Sequence, residues 1–433
     1  MDSDSQLAGI DLSPFDGQDR VLVGFSGGMD STALLHLLAH SRENLRPVRA
    51  IHVNHGLHAD ADRWTRHCQD VCAALGVELI VANVSVSRDG AFGLEAAARE
   101  ARYAAFAEHL HPGETLALAH HRDDQAETVL LRLLRASGSD GLSAMQVTRP
   151  FAGGLLWRPL LAVPRADLLA YARTHGLAWI EDPSNDDHAL DRNFLRQSVL
   201  PLIAQRWPQA AASLSRSAAL LAEDAGLLRA EAEKYLAQAQ GVDPATLSTG
   251  TLKGLSAPWR ARVLRAWLDA LGLPPLPGPA FAIIDTQLLG ARPDAEPVYR
   301  WAGQVLRRWR GLLHVETARP VLPPDWQTEW DGMEPLRLPT GDTVSLVRAG
   351  LVGAGLTAMR VAARQGGERI TLPGRQHSHA LKQAFQDFGI PPWERERLPL
   401  LFAADGELLA AGDGVISARL AASEVRLVWD RMH

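Results

Sequence analysis

Cysteine is nearly missing: Cys68 and Cys72 are the only two in 433 residues. Two thiols cannot build a disulfide framework or a four-thiolate metal site. Four apart on a helical stretch, they read as small core residues. No apolar run approaches the ~20 residues a membrane helix needs. The opening MDSDSQLAGIDLSPFDG is too acidic and polar for a secretory signal. A cytoplasmic protein with no membrane partner and no metal cluster is therefore expected. Lysine is scarce as well. Of 44 basic residues only Lys234, Lys253 and Lys382 are lysines, so a phosphate-binding loop of the GxxxxGK[ST] kind is excluded near the N-terminus. Nor is there an excess of positive charge, since 44 basic residues face 50 acidic ones for a net charge of −6. That average hides a cationic segment. Arg360, Arg364, Arg369, Arg375, Lys382, Arg395 and Arg397 stand against only Glu368, Asp387, Glu394 and Glu396. Net charge thus does not exclude RNA.

What is present is ordinary globular composition, 46% hydrophobic and 22% charged, at a length that fits two or three domains of ~100–200 residues. The apolar run RVLVGF (20–25) leads through a Ser-Gly-Gly turn into an amphipathic stretch, Ser31 to His40. The rhythm recurs in VRAIHVN (48–54) before a helical stretch from Asp60 to Leu75, and in VELIVANV (77–84) before one from Leu94 to Leu110. ETLALAH (114–120) then leads into DDQAETVLLRLLRAS, and LLWRPLL into a helix from Arg165 to His175. Apolar strands alternating with helices predict an α/β fold, a doubly wound and mainly parallel sheet. After Asn193 the texture becomes Ala- and Leu-rich, with helical spacing over 202–240 and 258–271 and breakers at LPPLPGP (273–279) and VLPPDW (321–326). From about 355 a small mixed α+β unit is expected, with a strand at Met359–Ala362 and a helix at Ala380–Phe388. The expected domains are 1–208 (catalytic), 209–325 (mainly helical) and 355–433 (C-terminal).

The segment VLVGFSGGMDS (21–31) carries the first chemistry. Its glycines let the backbone turn sharply and bring N–H groups up to a phosphate, and the helix N-terminus adds the positive end of a dipole. A plain capped strand-to-helix turn is the structural alternative. The pattern SGGxDS after a first strand resembles the pyrophosphate loop of the N-type ATP pyrophosphatases, which split ATP between the α and β phosphates to form an adenylate. That resemblance assigns ATP to the turn formed by Ser26, Gly27, Gly28, Met29, Asp30 and Ser31, and places Asp30 near Mg²⁺. Gly27→Val is then expected to clash with the phosphates and abolish ATP-dependent turnover while leaving the fold largely intact.

A second segment, LALAHHRDDQAETVLLRLLRASG (116–138), crowds Asp123, Asp124 and Glu127 at the start of a helix. Their spacing lets Asp124 and Asp123 each face Glu127, at the carboxyl edge of the sheet where open α/β folds bind ligands. Such a cluster suits Mg²⁺ or a cationic substrate group, whereas acids that merely complement the helix dipole are the structural alternative.

Further segments narrow the family. HVNHGL (52–57), GLEAAAREARY (93–103), HHRDDQAET, EDPSNDD (181–187), RNFLR (192–196) and LKQAFQDFGIPPWERERLPLLFAADGELLAAGD (381–413) follow in order the segments of the tRNA(Ile)-lysidine synthetase family, which the chain resembles from about 20 to 215 and from 355 to 425. The resemblance implies a reaction. The O2 of the wobble cytidine in a CAU-anticodon isoleucine tRNA attacks the α-phosphate of ATP, and free L-lysine then displaces AMP at C2. By the same resemblance Asp30, Asp124 and Glu127 are catalytic, the latter two holding or orienting the lysine ammonium. Arg99, Arg192 and Arg196 are candidate substrate contacts, and the cationic C-terminal segment binds tRNA outside the anticodon. ATP and Mg²⁺ are the implied cofactors. His52, His55, His120 and His121 show no tetrahedral ligand spacing. The related tRNA thiolases need reactive cysteines that this chain does not offer. Another tRNA-modifying or small-molecule adenylating enzyme with the same loop is the alternative, and the oligomeric state stays open.

Overall fold

The computed structural model describes residues 20–40, 48–56, 58–86, 94–183, 190–292, 295–348, 358–423 and 425–431. The polar N-terminal segment, and Leu57, Gly93 and residues 184–187 of the family-like segments, lie outside the described residues. The chain forms two compact units, Met1–Leu228 and Arg229–His433.

The first unit is built around a six-stranded sheet. Its elements in chain order are β1 (Val21–Gly24), α1 (Met29–His40), β2 (Val48–Asn54), α2 (Ala61–Leu75), β3 (Glu78–Asn83), α3 (Leu94–His109), β4 (Thr115–Ala117), α4 (Arg122–Leu134), α5 (Ser139–Leu142), β5 (Thr148–Phe151), β6 (Gly154–Trp157), α6 (Arg165–Thr174) and α7 (Asp191–Phe194). The strand order is β3-β2-β1-β4-β6-β5. All pairs are parallel except the edge hairpin of β5 with β6. Central strands in such a sheet are covered on both faces, which is why β1 and β4 read as unbroken apolar runs. On one face Leu34, Leu35, Leu38, Cys68, Cys72 and Leu168 from α1, α2 and α6 pack together. On the other, Ala105 and Phe106 of α3 pack on Leu22, Ile51 and Leu116. Helix α2 stops at Gly76, whose φ of 65° is the left-handed turn that ends helices, with the Val77 amide donating back to Cys72.

The expected doubly wound sheet is present. Strand β1 has β2 on one side and β4 on the other, so the strand order reverses there and opens a crevice at their carboxyl ends. Both motif-bearing turns, β1–α1 and β4–α4, leave from that crevice. Strand β4 ends at Ala117, earlier than the apolar run suggested.

The second unit holds the expected helices at Ala257–Ala270 and Leu381–Asp387. It also holds a four-stranded antiparallel sheet of Thr246–Ser248, Val298–Trp301, Gln304–Trp309 and Leu312–Thr317, which the sequence reading did not anticipate. Its inner face, Leu306 and Leu313, packs against Trp267, Leu264 and Ile284 of the helical part. A separate five-stranded antiparallel sheet at the C-terminal end includes Met359–Ala362, Leu400–Ala403 and Leu408–Ala411. No helix among the described residues is long and apolar enough to cross a membrane.

Candidate active site

The β1–α1 loop is held in shape by its own hydrogen bonds. Ser31 Oγ donates to the Gly28 carbonyl at 3.0 Å and accepts the Ser26 amide at 3.3 Å, while the two serine hydroxyl oxygens lie 3.0 Å apart. Ser26 Oγ accepts the Gly28 amide at 3.3 Å, and Thr32 Oγ1 donates to the Gly28 carbonyl at 2.9 Å. On the far side the Ile180 amide donates to the Gly27 carbonyl at 2.9 Å. The loop carbonyls are thus tied back, and the first amides of α1, which have no acceptor inside the helix, remain for an anion.

Gly27 corrects one expectation. It adopts φ 81°, and a Cβ there would sit 2.7 Å from Ile180 Cδ1 and 2.9 Å from Cys68 Sγ. The clash is with the protein's own packing. Gly27→Val is therefore expected to lower the melting temperature as well as ATP binding, because overpacking costs about 1–3 kcal/mol. Gly28 has no such neighbour, the nearest being Ser26 Oγ at 3.5 Å. Gly28→Val should melt close to wild type and weaken ATP about tenfold, the equivalent of ~1.4 kcal/mol. Thermal melts and ATP titrations of both variants check the contrast.

At the neighbouring turn, His121 is the N-cap of α4. Its Nδ1 accepts the Asp124 amide at 3.3 Å, and its own amide donates to Asp124 Oδ2 at 3.1 Å. With Nδ1 accepting, Nε2 carries the proton. It lies 3.4 Å from Asp124 Oδ2 and 3.7 Å from Asp30 Oδ2. Asp123 turns aside and accepts the Arg165 amide at 2.9 Å at the start of α6.

The structure brings Asp124, Glu127, Arg192 and Arg196 together, but bonded to one another. Glu127 is 0% exposed. Its Oε1 accepts Arg196 Nε at 2.6 Å, and its Oε2 accepts Arg192 Nε at 2.9 Å and Arg196 Nη2 at 3.1 Å. Arg196 Nη2 also reaches Asp124 Oδ1 at 2.9 Å, and Arg192 Nη2 reaches Thr128 Oγ1 at 3.2 Å. Both oxygens of Glu127 are thus occupied by arginines and the side chain is sealed from solvent, an arrangement that favours orienting over direct holding of a lysine ammonium. What it does is fix two guanidinia at the crevice. Asp124, 9% exposed, is the carboxylate nearer the opening.

Asp30 fits the implied Mg²⁺. Burial works against its charge, but His121, Arg165 and Arg196 outweigh it and hold the carboxyl below its ordinary value. Its Oδ1 is buried with no hydrogen-bond partner among the described residues, Arg165 Nε standing off at 3.7 Å. No group of three or more His, Cys, Asp or Glu among the described residues could hold a metal by itself. An ion at Asp30 would take its other ligands from phosphate and water, as Mg²⁺ commonly does.

Beside the loop lies a cavity of about 590 Å³, the size of a ligand site. Ile51, Val53, Phe106 and Leu118 give it an apolar wall, and Ser26, Gly28, Asp30 and Ser31 line its other side. His55, Arg102 and His120 also line it, and none of the three was singled out as a substrate contact from sequence. Of the arginines in GLEAAAREARY it is Arg102 that reaches the cavity; Arg99 is exposed, its guanidinium 5.0 Å from the Tyr103 ring centre. Burial and the nearby Arg158, Arg192, Arg102 and Arg99 charges push His120 well below the usual histidine range, so it is a neutral donor or acceptor. Burial, helped by Cys72, pushes the Cys68 thiol up to about 12, and burial takes Cys72 to about 11. Neither supplies a thiolate, as expected.

A Gly-Gly turn leading into a helix N-terminus and an aspartate with an unbonded buried oxygen, at the switch point of a doubly wound sheet beside an apolar cavity, suit a nucleotide-activating enzyme of the pyrophosphate-loop class. The family description "PP-loop domain" matches residues 4–203, "TilS substrate binding domain" 247–314 and "TilS substrate C-terminal domain" 359–429. The chain is 52% identical over 431 residues to the tRNA(Ile)-lysidine synthase of Xanthomonas axonopodis pv. citri, covering 98% of this chain and 97% of that protein. It is 50% identical over 417 residues to that of Xylella fastidiosa strain 9a5c, covering 94% of each. It is 44% identical over 419 residues to that of Alkalilimnicola ehrlichii, covering 94% and 93%. The chain belongs to the tRNA(Ile)-lysidine synthase family.

Proposed function

We propose that this protein, in the cytoplasm, joins free L-lysine to C2 of the wobble cytidine of the CAU-anticodon isoleucine tRNA at the expense of ATP. The observation that carries this reading is end-to-end family membership combined with a site that has both parts the chemistry needs: a pyrophosphate loop and, one turn away, a cluster of alternating acid and arginine. In the first step cytosine O2 attacks the α-phosphorus and the bond to pyrophosphate breaks. In the second the lysine ε-amine adds to C2, the C2–O2 bond breaks, and AMP leaves with the oxygen. A ring carbonyl oxygen is a poor leaving group, and adenylation makes it a good one.

The α1 amides and Ser26–Ser31 turn hold the departing pyrophosphate. Mg²⁺, when bound at Asp30, supplies charge neutralisation on the phosphates. An amino acid is a zwitterion, and the acid–arginine cluster presents both signs. Arg192 and Arg196 suit the lysine carboxylate and Asp124 its ammonium, with Glu127 positioning the two arginines. Release of labelled pyrophosphate with and without total tRNA and lysine tests the reaction. Release that needs tRNA is expected, and release indifferent to tRNA would favour a small-molecule adenylating enzyme.

The C-terminal part is read as a tRNA surface, with fewer contributors than its sequence suggests. Arg397, 4% exposed, is bound to Glu316 at 3.0 Å and Glu394 at 2.9 Å, so it holds the unit together. Arg360 lies over the Phe402 ring at 4.4 Å. Arg369, Arg375 and Lys382 are exposed. Arg375→Glu and Lys382→Glu should each weaken tRNA binding and lower the salt slope by about 1, with unchanged ATP affinity. Filter binding across a salt series measures both.

A further inference from the structure

Arginines from several elements gather beside the cavity: Arg99 of α3, Arg132 of α4, Arg149 of β5, and Arg158 just after β6. Arg99 and Arg149 lie by Tyr103, Arg158 by His120, and Arg132 within reach of the Arg99 charge. Arg99 and Arg149 lie 5.0 and 5.9 Å from the Tyr103 ring centre. Arg158, 4% exposed, donates from Nε to His120 Nδ1 at 3.3 Å and from Nη1 to the Gln146 carbonyl at 2.7 Å. Arg132 Nη1 donates to the Gly141 carbonyl at 2.6 Å. None of these four makes an ion pair with a carboxylate among the described residues, whereas Arg192, Arg196, Arg319 and Arg397 all do. The charges press on one another. Burial and then Arg99 lower the proton affinity of Arg132. Burial lowers that of Arg158 too, and Arg149 and Arg99 add to the effect while Tyr103 opposes it.

Like charges with no ion-paired carboxylate among the described residues attract an anion of matching size. That anion is not the triphosphate. The loop and Asp30 address the triphosphate, and Arg99, Arg132 and Arg149 lie outside the cavity that Arg102 and His120 line. We propose that Arg99, Arg132 and Arg149, with Arg158 buried behind them, form a seat for the backbone phosphates of the RNA strand whose base enters the cavity. The inference rests on the proposed reaction, in which a cytidine must leave its stack, and holding the flanking backbone is what keeps it out. Phosphate contacts fix position and carry no sequence information, so this seat supplies register and the choice of tRNA lies elsewhere.

The test uses the full chain carrying Arg99→Glu or Arg149→Glu. It measures binding of a CAU anticodon stem-loop RNA across a salt series, KM for tRNA and for ATP in pyrophosphate release, and melting temperature. Each variant should weaken RNA binding about tenfold and lower the salt slope by about 1, with KM for ATP unchanged. Arg149→Lys should recover part of the loss, because a point charge replaces a fork. Wild-type RNA affinity and slope in folded variants would overturn the proposal. So would a KM for ATP that rises in step with that for tRNA, which would give these arginines to the triphosphate. If Arg149→Glu does not fold, Arg99→Glu, exposed on α3, gives the same reading. RNA binding needs no lysine transfer, so a failure of the proposed reaction would show separately in the wild-type protein.

Discussion

Glu127→Ala should lower the melting temperature by about 6–12 °C and cut turnover by about a hundredfold or more. Among the described residues the glutamate is the one carboxylate paired with Arg192 and the main one paired with Arg196, with three hydrogen bonds between 2.6 and 3.1 Å. Removing one partner of a buried pair leaves the others uncompensated, at a cost of about 3–5 kcal/mol. Both guanidinia keep an edge in water, with side-chain exposures of 27% and 32%, so the low end, about 3 kcal/mol, is expected. At about 2–4 °C per kcal/mol for a domain of this size, that gives the stated shift. Activity falls for a further reason. Without Glu127 the arginines no longer point into the crevice, and loss of such positioning costs about a hundredfold or more. Asp124→Asn makes the contrast. Asparagine has one acceptor oxygen where the carboxylate uses two, Oδ2 for the His121 amide and Oδ1 for Arg196. One of these bonds is lost, so the melting temperature should fall, but by less than for Glu127→Ala, while turnover falls. Melting curves and turnover per folded molecule separate the two. A Glu127→Ala protein that melts like wild type would show that the pair is incidental.

Asp30→Asn should reduce turnover at least about a thousandfold with little change in stability. The change removes one charge and no packing, and a charge in the first turn of a helix contributes only ~0.3–1 kcal/mol. The Asp30 carboxylate also sits against His121 and Arg165 at 3.7 Å each, too far for strong bonds. What is lost is the free Oδ1 and its negative charge, the feature that suits a hard cation. ATP binding measured without Mg²⁺ should not weaken, since removing a negative charge beside phosphates favours them, whereas the gain in ATP affinity on adding Mg²⁺ should vanish. Turnover close to wild type would remove Asp30 from the metal site.

Much of the first unit was legible because its signals are local. VLVGF, the Gly-Gly turn and the amphipathic helix after it are adjacent in sequence, and the alternation of apolar strands with helices follows from covering a parallel sheet on both faces. The middle sheet was hidden for a physical reason. Strands such as QVLRRW and LLHVET mix arginine, histidine and glutamate with apolar residues over six positions, too short to tell a half-exposed strand from a helix turn. In the site, the acids, arginines and loop were each visible. Which faces which was not, because Arg192 and Arg196 lie 65 and 69 residues from Glu127 and meet it only through the fold. Arg102 had a signal that could have found it. It stands four residues before Phe106, on the same face of α3, and Phe106 is a natural anchor for the apolar wall. Within the charged C-terminal segment, sequence cannot tell an arginine bound to Glu316, such as Arg397, from one that meets solvent.

The measurement closest to the central claim is mass spectrometry of nucleosides after incubating the pure protein with ATP, Mg²⁺ and lysine and, separately, the CAU-anticodon isoleucine tRNA or methionine tRNA, which bears the same anticodon. The expected product is a cytidine that has gained lysine with loss of water, in the isoleucine tRNA alone and only when ATP is present. Equal modification of both tRNAs would contradict the discrimination assigned to contacts outside the anticodon. An unmodified isoleucine tRNA in the presence of ATP, Mg²⁺ and lysine would contradict the function itself.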